Sequence, residues 1–319
     1  MKEKWYEIAE EVERALENQR PVVALESTLI AQGLPYPKNI EVALAMEDAV
    51  RQSGAVPATI GIINGICKIG LSKQEVEFLG DGKSKVFKVG EGEIPYVIGT
   101  QKNASTTVSG TAWLADRFNI KVFATGGTGG VHRNVTQTYD ISQDLFTMSH
   151  TPIIIVSSGA KSILDIQKTN EVMESYGILI LGYQTDYFPA FYTRKSSILL
   201  NYRVEEAVEV AMIYQAKSVM KGKQALLVAN PVPPSDEIDE HNINGIIQEA
   251  TEEAVKKGIK GKEITPFLLA NIAERSGGTS MKANIALLVN NAKTAGEIAV
   301  EVSKVLNNGY KKQIGFSQE

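Results

Sequence analysis

The chain has 319 residues, of which 33 are basic and 37 are acidic, so its formal net charge at pH 7 is −4. This balance argues against a nucleic-acid partner, which usually needs a clustered basic surface, and is compatible with a small anionic substrate. We expect neither a signal peptide nor a membrane span, because the apolar runs are too short. The lone cysteine, Cys67, excludes an intramolecular disulfide and lies in an apolar segment, so we expect a core residue in a cytoplasmic protein.

Residues 1–20 carry apolar side chains at helical spacing and predict an N-terminal amphipathic helix. After them, short apolar runs alternate with helical patterns. The predicted buried strands are 22–25, 120–124, 153–156, 178–181 and 225–228, and the predicted helices are 40–50, 108–118, 162–175 and 204–220. This alternation predicts an α/β fold with a mostly parallel central sheet flanked by helices on both faces. We expect residues 21–310 to form a single α/β domain, in which residues 71–96 are hardest to assign.

Polar residues that follow a predicted strand are the candidate functional groups, because open α/β sheets bind ligands at the carboxyl ends of their strands. Glu26 follows the first such strand. If the fold desolvates its carboxyl group, its pKa rises and it can act as a general acid. The alternative is an ordinary exposed acid at the start of a loop.

A glycine-rich segment, residues 125–133, follows the strand at 120–124. Its four glycines would let successive backbone N–H groups approach an anion, and Thr125, His132 and Arg133 would add donors. The pattern favours a phosphate cradle over a purely structural turn. It is neither a Walker loop nor a dinucleotide fingerprint, because the required spacings are absent.

Asp140 and Asp144 are four residues apart and would share one face of a helix. Two carboxylates with a nearby hydroxyl can hold a hard cation through oxygen ligands. Alternatively, Asp140 caps the amino end of that helix.

Lys161 follows the strand at 153–156 and is predicted to begin a helix. The positive end of a helix dipole disfavours a charged lysine, and a second cation such as Lys88 would act in the same direction, so that free amine becomes available as a nucleophile. The alternative is a surface lysine.

Later in the chain, Asn284 lies on a predicted helix, followed on the same helix by Asn290 and Asn291. The amide of Asn284 can present both a donor and an acceptor to a planar base. The alternative is that Asn284 only ties down the chain.

These candidates belong to ordered blocks of sequence, among them 24–28, 125–133, 140–145, 159–165 and 283–287. Taken in order, the blocks resemble the pseudouridine-5′-phosphate glycosidase family, whose fold is called indigoidine synthase A-like. The resemblance runs from about residue 20 to 305. It implies a homotrimer that reversibly converts pseudouridine 5′-phosphate and water into uracil and ribose 5-phosphate.

The resemblance also implies a role for each residue. Lys161 would form a Schiff base with the ring-opened ribose, Glu26 would donate and accept protons, and Asn284 would read uracil. Asp140 would be the manganese ligand. The phosphate and ribose contacts would fall on Lys88, Thr107, Val108, Thr125, His132, Ser142 and Asp144.

Two departures from the family pattern bear on the site. After Lys88 the family has two arginines and an aspartate, whereas residues 89–95 here contain two glutamates, a change expected to weaken phosphate binding. Thr128 stands where the glycine loop usually has an aliphatic residue.

Two alternative functions stay open. The protein could be a phosphosugar or nucleoside kinase, or a non-enzymatic regulator that binds a sugar phosphate.

Overall fold

The structure, a computed structural model, describes residues 4–259 and 264–307. Its strands are β1 (Tyr6–Ile8), β2 (Val22–Glu26), β3 (Val56–Ile63), β4 (Ile66–Ile69), β5 (Val86–Val89), β6 (Asn103–Thr106), β7 (Val122–Ala124), β8 (Ile154–Ser157), β9 (Leu179–Tyr183), β10 (Arg203–Val204) and β11 (Leu226–Ala229). Its helices are α1 (Glu10–Glu17), α2 (Lys38–Gln52), α3 (Lys73–Gly80), α4 (Ile94–Gly99), α5 (Val108–Arg117), α6 (Val135–Thr138), α7 (Gln143–Met148), α8 (Ile166–Ser175), α9 (Ala207–Val219), α10 (Glu240–Lys256), α11 (Ile264–Arg275) and α12 (Thr279–Asn307).

All of these strands belong to one mostly parallel sheet, as the sequence predicts. The strand order is β1–β4–β3–β2–β7–β8–β11–β9–β10, and β6 pairs with both β3 and β5. β3 is antiparallel to β4 and β6, while the remaining pairs are parallel. Residues 71–96, which are hard to assign from sequence, contain α3, β5 and the beginning of α4, and β5 extends the sheet through β6.

The central strands are buried on both faces. Every residue of β7, β8 and β11 is buried, although successive side chains of a strand point to opposite faces. The long helix α12 packs against α2, α9 and the strands β2, β7 and β8, and α5 packs against β2, β6 and β7. In residues 4–259 and 264–307, none of the helices combines the length and the apolar character needed to cross a bilayer.

The prediction of one helix over residues 1–20 is wrong at its beginning. Residues Tyr6–Ile8 form β1, which pairs in parallel with β4 at the edge of the sheet, and α1 follows. Trp5 and Tyr6 pack their rings against Phe118, and this tertiary contact favours an extended chain over a helix at that point. Cys67, on β4, is fully buried, as predicted, and burial raises the pKa of its thiol to about 12.

Candidate active site

The candidate groups meet where three adjacent parallel strands end. Glu26 is the last residue of β2, Thr125 follows β7 directly, and Lys161 lies four residues beyond Ser157 at the end of β8. Because β2, β7 and β8 are neighbours and run in parallel, their carboxyl ends lie at the same edge of the sheet. The sheet order thus brings together groups that are far apart in the sequence.

A small central compartment of about 60 Å³ contains the two groups predicted to carry the chemistry. Glu26, Lys161, Lys88 and Thr125 line it, and apolar side chains complete its wall, including Phe191.

A charged compartment of about 240 Å³ adjoins the central one and shares Glu26, Lys88 and Lys161 with it. The predicted residues Lys88, Thr107, His132, Asp140, Ser142 and Asp144 line this compartment. Glu93, from the segment that departs from the family pattern, also lines it. The side chain of Val108 instead lies in the core as the first residue of α5, so any ligand contact from it comes from its backbone N–H, which has no acceptor within the helix.

An apolar compartment of about 460 Å³ lies on the other side of the central one. Tyr192, Pro266, Leu269 and Met281 contribute to its largely apolar wall. Asn284 borders both the central and the apolar compartments, where its amide can face a planar ring. The three connected compartments can therefore accommodate a ligand with an anionic end, a reactive centre and a flat, weakly polar end.

The surroundings of Glu26 favour the protonated form of its carboxyl group. Burial raises the pKa of its carboxyl group, while the charge of Lys161 and a hydrogen bond donated by the Thr125 hydroxyl oppose the shift only in part. The protonated form of Glu26 therefore persists to higher pH than in water. This outcome matches the sequence expectation for a desolvated carboxyl group at a strand end.

His132 lies between opposing charges in the charged compartment. Burial lowers the pKa of its imidazole, the nearby Asp140 carboxylate raises it, and the positive charges of Lys161 and Lys88 lower it further. The net shift is downward, which favours a neutral ring. A neutral imidazole can either donate or accept a hydrogen bond, according to its tautomer.

The prediction that Asp140 and Asp144 share a helix face is wrong, because α7 begins at Gln143 and its N-cap is Ser142. Asp140 precedes the helix and does not cap it. Asp144 is buried, and its carboxylate accepts the backbone N–H of Ser109 at 2.9 Å and that of Gly129 at 2.7 Å. Asp144 therefore ties the glycine-rich segment to the first turn of α5.

Five backbone N–H groups of the glycine-rich segment already have acceptors within the protein. The N–H groups of Thr125, Thr128, Gly129, Val131 and His132 all donate to acceptors within the protein. The prediction that successive N–H groups point at an anion is wrong for these positions.

Close packing explains the glycines instead. A Cβ atom on Gly127 would lie 2.7 Å from the Phe191 ring, and one on Gly129 would lie 2.2 Å from the Ser142 hydroxyl. Arg133 also turns away from the three compartments. It donates to the Ser162 carbonyl at 3.2 Å and lines a separate pocket, so it contributes no donor to the predicted cradle.

Lys161 does not begin a helix, so the helix-dipole explanation for its reactivity is wrong. α8 begins at Ile166 with Asp165 as its N-cap. The Lys161 backbone is held by the glycine-rich segment: its N–H donates to the Thr128 carbonyl at 3.0 Å, and the Thr128 N–H donates to Gly159 at 3.0 Å. Lys161 thus lies in an ordered loop next to Glu26.

Asp140 fits a divalent cation only if water completes the coordination. In the described part of the chain, His, Cys, Asp and Glu side chains form no cluster of three that could hold a metal. The Asp140 carboxylate lies close to His132, with Nε2 and Oδ2 3.8 Å apart, and both oxygens of Asp144 already accept N–H groups. Asp140 would supply one charge, and water and a ligand anion would supply the other contacts.

Several residues of the site escaped the sequence interpretation. Gln32, Phe191 and Leu269 line the central compartment, and Asn291 lies behind it. They come from separate elements, and no local pattern distinguishes them from core or loop residues. The run of Asn284, Asn290 and Asn291 on one predicted helix was a usable signal for Asn291, because buried asparagines need hydrogen-bond partners.

Comparison with known proteins places the chain in a family. Residues 11–301 match the model of the family described as indigoidine synthase A like protein. The chain is 47% identical over 302 residues to the pseudouridine-5′-phosphate glycosidase of Caldanaerobacter subterraneus subsp. tengcongensis, covering 95% of this chain and 98% of the relative. It is also 47% identical to the enzyme of that name from Escherichia coli K12, covering 94% and 96% of the two chains.

Two solved structures are similar over nearly the whole chain. The prealnumycin C-glycosynthase in complex with ribulose 5-phosphate matches with a TM-score of 0.88 at 36% identity, covering 96% of this chain and 99% of the other. An indigoidine synthase A-like protein from Thermotoga maritima MSB8 matches with a TM-score of 0.85 at 40% identity, covering 94% and 97%. The protein belongs to the indigoidine synthase A-like family.

Proposed function

We propose that this protein is a pseudouridine-5′-phosphate glycosidase, which reversibly cleaves the carbon–carbon glycosidic bond to give uracil and ribose 5-phosphate. The observation that carries the proposal is the pairing of Lys161 with a desolvated Glu26 in a compartment between a charged pocket and an apolar one. The names of relatives 47% identical over most of the chain support the same reaction.

The chemistry needs an electron sink, because protonating a leaving oxygen does not break a carbon–carbon bond. In the proposed mechanism the Lys161 amine bonds to C1′ as the ring oxygen leaves with a proton from Glu26. The new ammonium returns a proton to Glu26, and the nitrogen lone pair then expels uracil, whose C5 takes that proton. Water hydrolyses the resulting iminium, which releases ribose 5-phosphate and regenerates the amine.

The two outer compartments would position the substrate. Lys88 provides positive charge in the charged compartment, and Thr107, His132 and Ser142 provide donors for the phosphate and ribose oxygens. Asn284 would hydrogen-bond uracil at the border of the apolar compartment. Binding of these remote groups would hold C1′ against the Lys161 amine, so that binding energy is used for orientation.

The test is release of uracil from pseudouridine 5′-phosphate, together with consumption of uracil in the presence of ribose 5-phosphate, both measured after chromatographic separation. Borohydride reduction with ribose 5-phosphate should add one pentose-phosphate mass to the peptide that contains Lys161. Lys161→Arg is the matched control, because it keeps the positive charge and cannot form the imine. Turnover that requires ATP, or binding of ribose 5-phosphate without uracil release, would instead support the kinase or the regulator.

We also propose that a divalent cation such as manganese binds at Asp140 through water and helps to orient the substrate phosphate. The exposure of the Asp140 carboxylate in the charged compartment supports this proposal. Bound there, the cation would supply positive charge, while Asp140 would fix its position.

The homotrimer that the family resemblance implies and the cytoplasmic location expected from the sequence stay predictions. Exposed apolar side chains at Tyr139, Ile141 and Phe146, close to the charged compartment, support a subunit interface on that side. Sedimentation equilibrium of the purified protein tests the trimer directly.

A further inference from the structure

Asn291 connects three strand ends behind the central compartment. It lies on α12 and is fully buried. Its Nδ2 donates to the Thr125 carbonyl at 2.9 Å and contacts the Ser158 hydroxyl at 3.1 Å, while its Oδ1 accepts from the side chain of Asn230 at 2.9 Å. Thr125, Ser158 and Asn230 are the first residues after β7, β8 and β11. One side chain thus fixes the carboxyl ends of three neighbouring strands.

Two of these strand ends are linked to the proposed catalytic groups, one through a hydrogen bond to Glu26 and one through the chain that leads to Lys161. Thr125, whose carbonyl is held by Asn291, donates its hydroxyl to the Glu26 carboxylate. Ser158 lies three residues before Lys161, in the segment that leads from β8 to the amine. A shift of either strand end would change the separation of the carboxyl group and the amine.

The amide of Asn291 is matched to its surroundings as a donor and an acceptor at once. Nδ2 faces a carbonyl oxygen, and Oδ1 faces an amide nitrogen. A carboxylate of the same shape would place an oxygen opposite the Thr125 carbonyl. Two oxygens that face each other in a buried site have no proton to share, so we expect the strand end to move away from the substituted side chain.

We infer that Asn291 is a positioning residue for the reaction, which sets the geometry of the Glu26 and Lys161 pair through Thr125 and Ser158. The inference rests on the proposed function. Asn291 lines none of the three compartments, so it acts only through the residues it holds.

The experiment compares Asn291→Asp with Asn290→Asp in steady-state turnover of pseudouridine 5′-phosphate. Asn290 is the matched control, because it is the adjacent residue of α12 and its Nδ2 also donates to a backbone carbonyl, that of Pro231, at 3.3 Å. We expect Asn291→Asp to lower kcat about 10- to 100-fold, since displacements of about 1 Å have effects of this size, with KM changed less than about threefold. The pH profile of kcat, to which the Glu26 carboxyl group contributes, should shift in Asn291→Asp alone.

A folded Asn291→Asp enzyme with the kcat and pH profile of Asn290→Asp would overturn the inference, even if its thermal stability were lower. Should Asn291→Asp fail to fold, Ser158→Ala removes one of the contacts of Asn291 without adding a charge. We expect a lower kcat from Ser158→Ala, and an unchanged kcat and pH profile would equally overturn the inference. Absence of uracil release by the wild-type enzyme would contradict the proposed function, which separates the two failures.

Discussion

Replacing Thr128 by valine is expected to stabilise the protein. Thr128 is fully buried in the glycine-rich segment, and its hydroxyl has no hydrogen-bond partner within the described part of the chain. A buried hydroxyl without a partner costs about 1–3 kcal/mol, and valine has nearly the same shape, so the substitution leaves no cavity. The threonine that replaces the usual aliphatic residue at position 128 is therefore expected to lower the stability of the folded protein.

We expect Thr128→Val to raise the free energy of unfolding by about 1–3 kcal/mol, with an increase in Tm of roughly 2–4 °C per kcal/mol. Urea unfolding at fixed pH measures the first and calorimetry the second, and turnover should stay unchanged. Thr147→Val is the matched control. The Thr147 hydroxyl is also buried but donates to Glu91 at 2.7 Å and contacts Ser109 Oγ at 2.8 Å, so its loss should destabilise.

A Thr128→Val protein that is less stable than wild type would refute this reasoning. Such a result would mean that the hydroxyl is satisfied in solution, for example by a buried water molecule. Equal decreases in the free energy of unfolding of Thr128→Val and Thr147→Val would lead to the same conclusion.

Three further predictions concern the charged groups. Because burial raises the pKa of Glu26 in the folded state, the free energy of unfolding should fall as the pH rises from the ordinary carboxyl pKa through the raised pKa. Urea unfolding at several pH values should show a weaker pH dependence of this free energy in Glu26→Gln than in the wild type. An equal pH dependence in the two proteins would contradict the prediction. Asp144→Asn should cost about 1.5–3 kcal/mol in urea unfolding, since an NH2 group would face a backbone N–H. Asp140→Asn should raise the manganese concentration for half-maximal activity by about 10- to 100-fold, and equal metal titrations would exclude Asp140 as the ligand.

The sequence predicts the central strands of the fold, because strands that are buried on both faces appear as short continuous runs of apolar residues. β2, β7, β8 and β11 read as continuous apolar runs because both of their faces are covered, and Glu26 reads as a strand-end carboxyl group for the same reason. The sequence does not reveal β1, because Ile8 continues the apolar spacing of α1, whereas the pairing with β4 and the ring contacts with Phe118 come from distant segments.

The loop of Lys161 was misread as helix for a related reason. Residues 162–165 carry a helical apolar pattern, but backbone bonds to the glycine-rich segment hold them outside the helix, including Asp165 N–H to the Val131 carbonyl at 2.9 Å. Hydrogen bonds between segments that are distant in the sequence cannot be predicted from the local sequence pattern.

The chemistry of the site likewise depends on distant neighbours. Glu26 receives its hydrogen bond from Thr125, 99 residues along the chain, and the opposing charge of Lys161 comes from a third strand end. These two contacts favour the carboxylate, whereas burial favours the protonated acid and prevails. Since the proposed mechanism needs a proton on Glu26 when the ring opens, the strand order β2–β7–β8 contributes twice: it positions the acid and brings together the groups that shift its pKa. The position of Lys161 has the same origin, because backbone pairing at a strand end holds its loop and no helix begins there.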